Sequence, residues 1–203
     1  QQSRGVTLRE LTAAYSVFAN GGIYSKPRSY SLVMTYDGKV LLGNDGEQRR
    51  VIGEGNAAVM TKLLERVVTG ASGVKISLRD DIEIAGKTGT TQNSCDRWFI
   101  GYTPYYLCGV WYGNEYPSAL PDSTRTVCSE TFNAVMTSLH ENILASGGVK
   151  TFPLPENLVQ ASFCRDSGKI MTGACACDPR GDREETGWFV SGTQPMSLCD
   201  RHI

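Results

Sequence analysis

The 203-residue sequence predicts an α/β fold of the α+β kind, an antiparallel sheet flanked by helices. Three observations lead there. Three extended runs follow one another closely: Ile82-Glu83-Ile84-Ala85 leading into Gly86 to Thr91, then Asp96 to Tyr102, then Tyr105 to Trp111. Strands joined by such short turns pair antiparallel. Segments with apolar residues at helical spacing lie on both sides of these runs, and turn residues punctuate the boundaries.

The first helix is announced by Thr7-Leu8-Arg9-Glu10, a capping box ahead of Leu8, Leu11, Tyr15 and Phe18, and Asn20-Gly21-Gly22 ends it. Tyr30 to Tyr36 and Lys39 to Leu42 flank Asp37-Gly38, a strong hairpin signal. Gly43 to Gly55 reads as loop. Ala57 to Val68 carries Val59, Met60, Leu63, Leu64, Val67 and Val68 at helical spacing and closes at Gly70. Ala71 to Asp81 reads as a polar connection into the central strands. After them Gly113 to Thr126 is expected to be loop. Ser129 then serves as N-cap of a helix with Phe132, Val135, Met136, Leu139 and Ile143, stopped by Gly147-Gly148. These features define residues 1–148 as one unit. Residues 149–203 differ in composition, with four prolines and four cysteines, and read as a Cys-rich irregular tail.

Composition narrows the function classes. Hydrophobic residues make up 40 % and charged residues 20 %, ordinary values for a globular domain. The net charge of −1 comes without any Lys/Arg run, which argues against nucleic acid as a partner. No segment approaches the run of about 18 apolar residues that a membrane helix needs. The first residues show no signal-peptide pattern, so the chain is expected to begin inside a longer protein or to have been trimmed. Of seven cysteines, Cys164, Cys175, Cys177 and Cys199 crowd the tail. Cys175-x-Cys177 lacks the Cys-x2-Cys spacing usual in zinc sites, so the expectation is at least one disulfide among these four and no metal or cofactor.

The chemistry gathers at Gly86-Lys87-Thr88-Gly89-Thr90-Thr91. A strand there would set a lysine, two hydroxyls and two glycines along an exposed sheet edge, and an interior strand glycine marks close approach of a ligand or backbone. Lys-Thr-Gly is one signature of serine acyl-transfer enzymes of the penicillin-binding type. Gly5-Val6-Thr7-Leu8 through Tyr15-Ser16-Val17-Phe18-Ala19-Asn20-Gly21-Gly22 precedes it. Asp96-Arg97-Trp98-Phe99-Ile100-Gly101-Tyr102-Thr103-Pro104 and Gly109-Val110-Trp111-Tyr112-Gly113 follow. Taken in this order, these stretches resemble the C-terminal half of a class A penicillin-binding protein transpeptidase domain. The tail is similar to the end of many such proteins in Cys164-x-x-Ser167-Gly168-Lys169, Trp188-Phe189-Val190-x-Gly192-Thr193-x-Pro195 and Cys199-x-x-His202. The resemblance covers nearly the whole chain.

The resemblance implies a DD-transpeptidase without a cofactor, working on D-Ala-D-Ala stem peptides of peptidoglycan and acylated by β-lactams. It implies catalytic roles for Lys87 and Thr90, the latter through a backbone N–H in the oxyanion hole. It implies substrate binding by Thr88, Gly89 and Thr90: the hydroxyls meet a terminal carboxylate, and Gly89 leaves room for a peptide laid against the strand. It also implies a place at the extracytoplasmic face of the bacterial cell membrane, anchored by an N-terminal segment absent here. Glycosyltransferase activity would lie in a separate N-terminal domain.

The departure from the family pattern concerns the nucleophile. The family carries Ser-x-x-Lys and Ser-x-Asn upstream of Lys-Thr-Gly. This sequence has no Ser-x-Asn, and its Ser72-Gly73-Val74-Lys75 stands too close to Lys87 and is read as a chance match. The polypeptide is therefore expected to be a fragment, inert alone, with the nucleophile on another chain or an absent N-terminal half. The alternative is a non-catalytic sensor or binding module that keeps the fold. Structural readings stand beside these: Lys87 as a solvated edge-strand lysine, and Trp98, Phe99, Tyr105, Tyr106, Trp111 and Tyr112 as mostly packing residues. Arg97 is read as pairing with Asp96 or other loop carboxylates, and Cys95 as an incidental thiol. His140 and His202 show no triad partner.

Overall fold

A computed structural model describes residues 5–70 and 74–202. Helix α1 (Leu8–Ala19) starts at the expected cap. The Glu10 N–H donates to Thr7 Oγ1 at 3.2 Å, and the Thr7 N–H donates to the Glu10 carboxylate at 2.9 Å. Gly21, at φ +58°, turns the chain out of the helix. Strands β2 (Leu32–Met34) and β3 (Val40–Gly43) form the expected hairpin, with Gly38 at φ +86° in its turn. The stretch expected to be loop holds a strand, β4 (Gln48–Arg50), which pairs with β1 (Ile23–Ser25). Both are three residues long, and all of β4 is exposed, so neither carries the alternation that reveals a strand.

Helix α2 (Glu54–Gly70) begins earlier than its apolar spacing indicates. The connection after it is less polar in place than in sequence. Val74, Ile76 and Leu78 are buried with Ile82 and Ile84 in one core cluster, and Ser77–Asp80 forms a short 3-10 turn. Both isoleucines are buried, but the strand itself begins only at Ala85.

The centre is a three-stranded antiparallel sheet in the order β5 (Ala85–Thr90), β6 (Asp96–Tyr102), β7 (Leu107–Gly113). Side chains alternate between its faces. One face carries Phe99 and Gly101 against Phe132 of α3 (Val127–Ala145), with the Phe99 and Phe132 ring centroids 4.9 Å apart. The other carries Ala85, Ile100, Tyr102 and Gly109 toward α1 and α2; a side chain at Gly109 would collide with Thr12 and Leu8. The sheet is therefore sandwiched between helices, as expected. Helix α3 starts two residues before Ser129. That residue is not the N-cap: its hydroxyl donates to the Thr126 carbonyl at 2.9 Å and accepts the Lys75 N–H at 3.2 Å, tying α3 to the connection after α2.

The tail is more regular than expected. β8 (Leu158–Cys164) pairs antiparallel with β9 (Glu184–Val190), and a short helix α4 (Gly173–Ala176) lies between them in sequence. The turn between the strands is long, so no local hairpin signal exists. The disulfide expectation is overturned, because none of the seven cysteines is bridged. Cys164, Cys175 and Cys199 are buried together, whereas Cys177 is exposed and takes no part.

Candidate active site

Strand β5 lies at one edge of the central sheet, and among the described residues no strand pairs with its outer side. Its register is continuous, from Ala85 opposite Tyr102 to Thr90 opposite Arg97. The next residue, Thr91, donates its N–H to the Asp96 carbonyl at 3.3 Å. Hydrogen-bonded and non-bonded pairs alternate along an antiparallel ladder. Thr91, Gly89 and Lys87 therefore turn their backbone groups inward to β6, while Thr88 and Thr90 turn theirs to the open edge.

The side chains obey the same alternation. Thr88 and Thr90 share a face with their cross-strand partners Phe99 and Arg97, whereas Lys87 lies on the opposite face with Ile100. Lys87 is exposed, and its Nζ donates to the Thr88 carbonyl at 3.0 Å. The expected residues thus meet at the strand's edge rather than on one face. The edge offers an N–H donor at Thr90, a nearby cation and two hydroxyls. Gly89 has a packing reason as well as room for a ligand, since a Cβ there would sit 3.1 Å from Trp98 Cβ.

Asp96 organises the turn that ends β5. One carboxylate oxygen accepts the Thr91 hydroxyl at 2.7 Å and the other accepts Trp111 Nε1–H at 2.9 Å, while the Asp96 N–H donates to Thr91 Oγ1 at 2.9 Å. The turn forces Asn93 and Ser94 to φ +60° and +56°, a conformation that asparagine tolerates better than most residues. Asp96 does not pair with Arg97. The Arg97 side chain is buried, on the face of Thr88 and Thr90, and its Nε and Nη2 have no hydrogen-bond partner among the described residues. Sequence reading missed this buried cation; a charge alternating with apolar strand residues was the available signal.

Ser72 lies outside the described residues; Lys75 pairs with Glu130 at 3.2 Å. Phe99 is core, Trp98 stacks obliquely on Trp111 at 6.3 Å, and Tyr105 and Tyr106 pack edge-on to His140. His140 is buried: Nδ1 donates to the Met136 carbonyl at 2.7 Å and Nε2 accepts the Thr103 hydroxyl at 2.9 Å, a structural arrangement. Cys95 is half-buried.

Comparison with known proteins bears on the family of the chain. Residues 2–120 match the penicillin binding protein transpeptidase domain, and residues 154–203 match the penicillin-binding protein 1A C-terminal domain. Penicillin-binding protein 1A of Clostridium novyi is 34 % identical across 99 % of this chain and 23 % of its own length. Its counterpart from Aquifex aeolicus is 39 % identical over 57 % of the chain and 16 % of its own length. The chain thus spans about a quarter of the length of the curated relatives that cover it most fully. Among solved structures, penicillin-binding protein 1A from Haemophilus influenzae superposes with a TM-score of 0.72 over 96 % of this chain and 33 % of its own, at 20 % identity. An imipenem acyl-enzyme complex of penicillin-binding protein A from M. tuberculosis superposes at 0.53 over 68 % of this chain and 32 % of its own, also at 20 % identity. The chain belongs to the penicillin-binding protein transpeptidase family and ends in the C-terminal domain found in penicillin-binding protein 1A.

Proposed function

We propose that this chain supplies the substrate-binding strand of a serine-type peptidoglycan DD-transpeptidase. The observation that carries the reading is the open edge of β5, where the Thr90 N–H points outward beside the Lys87 ammonium. A D-Ala-D-Ala stem laid antiparallel against that edge would extend the sheet by one strand. Its terminal carboxylate would meet the hydroxyls of Thr88 and Thr90. The Thr90 N–H would donate to the oxygen that becomes an oxyanion when a serine attacks the penultimate carbonyl. Lys87 would stabilise the negative charge that develops and favour deprotonation of its catalytic neighbours. Acylation expels D-alanine, and the amine of a second stem then attacks the acyl-serine to form the cross-link.

The serine, in Ser-x-x-Lys, and the Ser-x-Asn motif would come from an N-terminal half outside this sequence. This chain alone would be inactive. The reading puts the protein at the extracytoplasmic face of the cell membrane, anchored by a segment outside this sequence; among the described residues no helix is long and apolar enough to cross a membrane. β-Lactams, as mimics of D-Ala-D-Ala, would acylate the same serine.

The test is fluorescent-penicillin labelling of the parent protein, with the labelled residue located by peptide mass. The expected outcome is label on an upstream Ser-x-x-Lys serine, with Lys87→Ala slowing acylation by about a hundred-fold or more. Label on Ser72 would overturn the fragment reading. A folded parent that takes no label would favour a binding module without catalysis.

A further inference from the structure

The C-terminal unit has almost no apolar core of its own. Its buried cluster is Cys164, Cys175 and Cys199, with Met171 packed beside them. Units of this size with so little apolar burial are usually held by disulfides or a metal, and no disulfide is present. A fourth residue completes the cluster. His202 Nδ1 lies 3.5 Å from Cys164 Sγ and 3.4 Å from Cys199 Sγ, and the ligand atoms of Cys164, Cys175, Cys199 and His202 all fall within 4.8 Å of one another.

We propose that Cys164, Cys175, Cys199 and His202 form a structural zinc site. Zinc–sulfur bonds of about 2.3 Å and a zinc–nitrogen bond of about 2.1 Å, arranged tetrahedrally, separate the ligand atoms by about 3.6–3.8 Å. The two histidine–sulfur distances lie within a few tenths of an ångström of that figure, and no other pair exceeds it by more than about 1 Å, so side-chain shifts of at most that size close the tetrahedron. All four positions are filled by protein atoms, three of them buried, which marks a structural rather than a catalytic zinc.

The surroundings favour a metal over a disulfide. His202 Nε2 lies 3.1 Å from Asp166 Oδ2 and 3.1 Å from Asp178 Oδ2. Between two carboxylates that nitrogen holds the proton, and the lone pair of Nδ1 is directed at the sulfurs. A carboxylate behind a ligating histidine is the usual outer support of a zinc site. The carboxylates are themselves fixed: Arg183 Nη2 donates to Asp166 at 2.8 Å, and Arg180 Nε donates to Asp178 at 2.9 Å. Asp166, Asp178 and His202 therefore make an outer shell, not a second metal site. Backbone donors also reach two of the sulfurs, Thr172 N–H to Cys175 at 3.3 Å and Arg201 N–H to Cys199 at 3.4 Å. Such donors stabilise thiolates. A disulfide between any two of the sulfurs would leave the third thiol and Nδ1 without the partner that this arrangement prepares.

The metal would join three segments that are otherwise linked by ion pairs and scattered hydrogen bonds: the end of β8, the short helix α4, and the terminal stretch carrying Cys199 and His202. Apart from His202 Nε2 on Asp166 and Asp178, the last is tied by the Cys199 N–H to the Ile170 carbonyl at 2.8 Å, the Ile170 N–H to the Ser197 carbonyl at 2.9 Å and the Lys169–Asp200 ion pair at 2.6 Å.

The experiment is elemental analysis of the chain purified without chelator, followed by replacement of the metal with Co2+. One zinc per chain is expected, and cobalt should give sulfur-to-metal charge-transfer bands together with the intense visible bands of a tetrahedral site. Cys177→Ser, outside the cluster, should keep full stoichiometry. Cys199→Ser and His202→Ala should lose it. Because those variants could unfold the tail, Asp178→Asn serves as a milder probe: the chain should still bind zinc, with about 10–100-fold weaker affinity in a chelator competition. Substoichiometric zinc in protein whose tail is folded would overturn the proposal. So would a disulfide between two of the three buried cysteines in native protein alkylated without reductant, or an octahedral cobalt spectrum.

Discussion

Single side chains decide how the central sheet meets its helices, and Tyr102 shows it most clearly. It is fully buried, and its hydroxyl lies 2.9 Å from Thr61 Oγ1 on α2. Thr61 already donates to the Ala57 carbonyl at 3.0 Å, so Tyr102 is the donor between them. Tyr102→Phe removes that donor and leaves Thr61 with its other bond, so the expected cost is about 1 kcal/mol by denaturant titration at neutral pH. Burial raises the Tyr102 pKa above the ordinary value of 10. The folded state then holds a proton that the unfolded state has lost, and stability falls as pH rises above 10 toward the folded pKa. Tyr102→Phe should flatten that alkaline decline. Equal slopes for the two proteins above pH 10 would show that Tyr102 does not couple to folding.

At the scale of elements, the turn after β5 is a small machine for ending a strand at a fixed place. Asp96 binds the Thr91 hydroxyl and the Trp111 indole at once, linking the end of β5 to β7 across β6. Asp96→Ala removes both bonds at an exposed site, and the expected loss is about 1–2 kcal/mol. Amide exchange at Thr91 should speed up while that of Ile100, in the middle of β6, is unchanged; uniform acceleration would mean that the whole sheet had loosened. The turn also explains what the sequence made legible. Lys-Thr-Gly, the aromatic run after it and the capping box at Thr7 depend on neighbours close in sequence, so the strand, its edge residues and α1 could be read directly. Lys87 lying on the face opposite Thr88 and Thr90 follows from the pleat alone. That Arg97 is buried was signalled only by a charge alternating with apolar strand residues, and its lack of partners for Nε and Nη2 among the described residues had no local signal, because its surroundings depend on where α3 packs. Nor could β1 pairing with β4, whose contact spans the whole β2–β3 hairpin.

For the whole molecule, the illegible part is the C-terminal unit, and long-range assembly is again the reason. Cys164, Cys175 and Cys199 lie far apart in sequence and come together only when β8 and β9 pair, while the neighbouring Cys177, which dominated the spacing pattern, faces out. The same assembly shows that the tail is not a loosely hung appendage. Helix α2 runs antiparallel to β9: Gly55 packs on Val190, and Arg66 binds Glu185, which Arg165 also holds at 3.1 Å. The stretch from Gly55 to Arg66 on a helix and that from Glu185 to Val190 on a strand both measure about 16 Å, so the contacts can form together along one seam. A side chain at Gly55 would enter that seam, with its Cβ 2.9 Å from Val190 Cγ2 and 3.2 Å from the Asn157 amide. Helix propensity alone would favour replacing this glycine by up to about 1 kcal/mol. Gly55→Val, which adds two methyls beyond Cβ, should instead destabilise by about 1–3 kcal/mol through overpacking. The cysteine cluster sits at the far end of the β8–β9 pair, beyond Cys164 and Glu184, so zinc content should be preserved. Limited proteolysis should then cut the tail of Gly55→Val faster than that of the parent, with the same metal stoichiometry. Unchanged cleavage would mean that the seam does not hold the two units together.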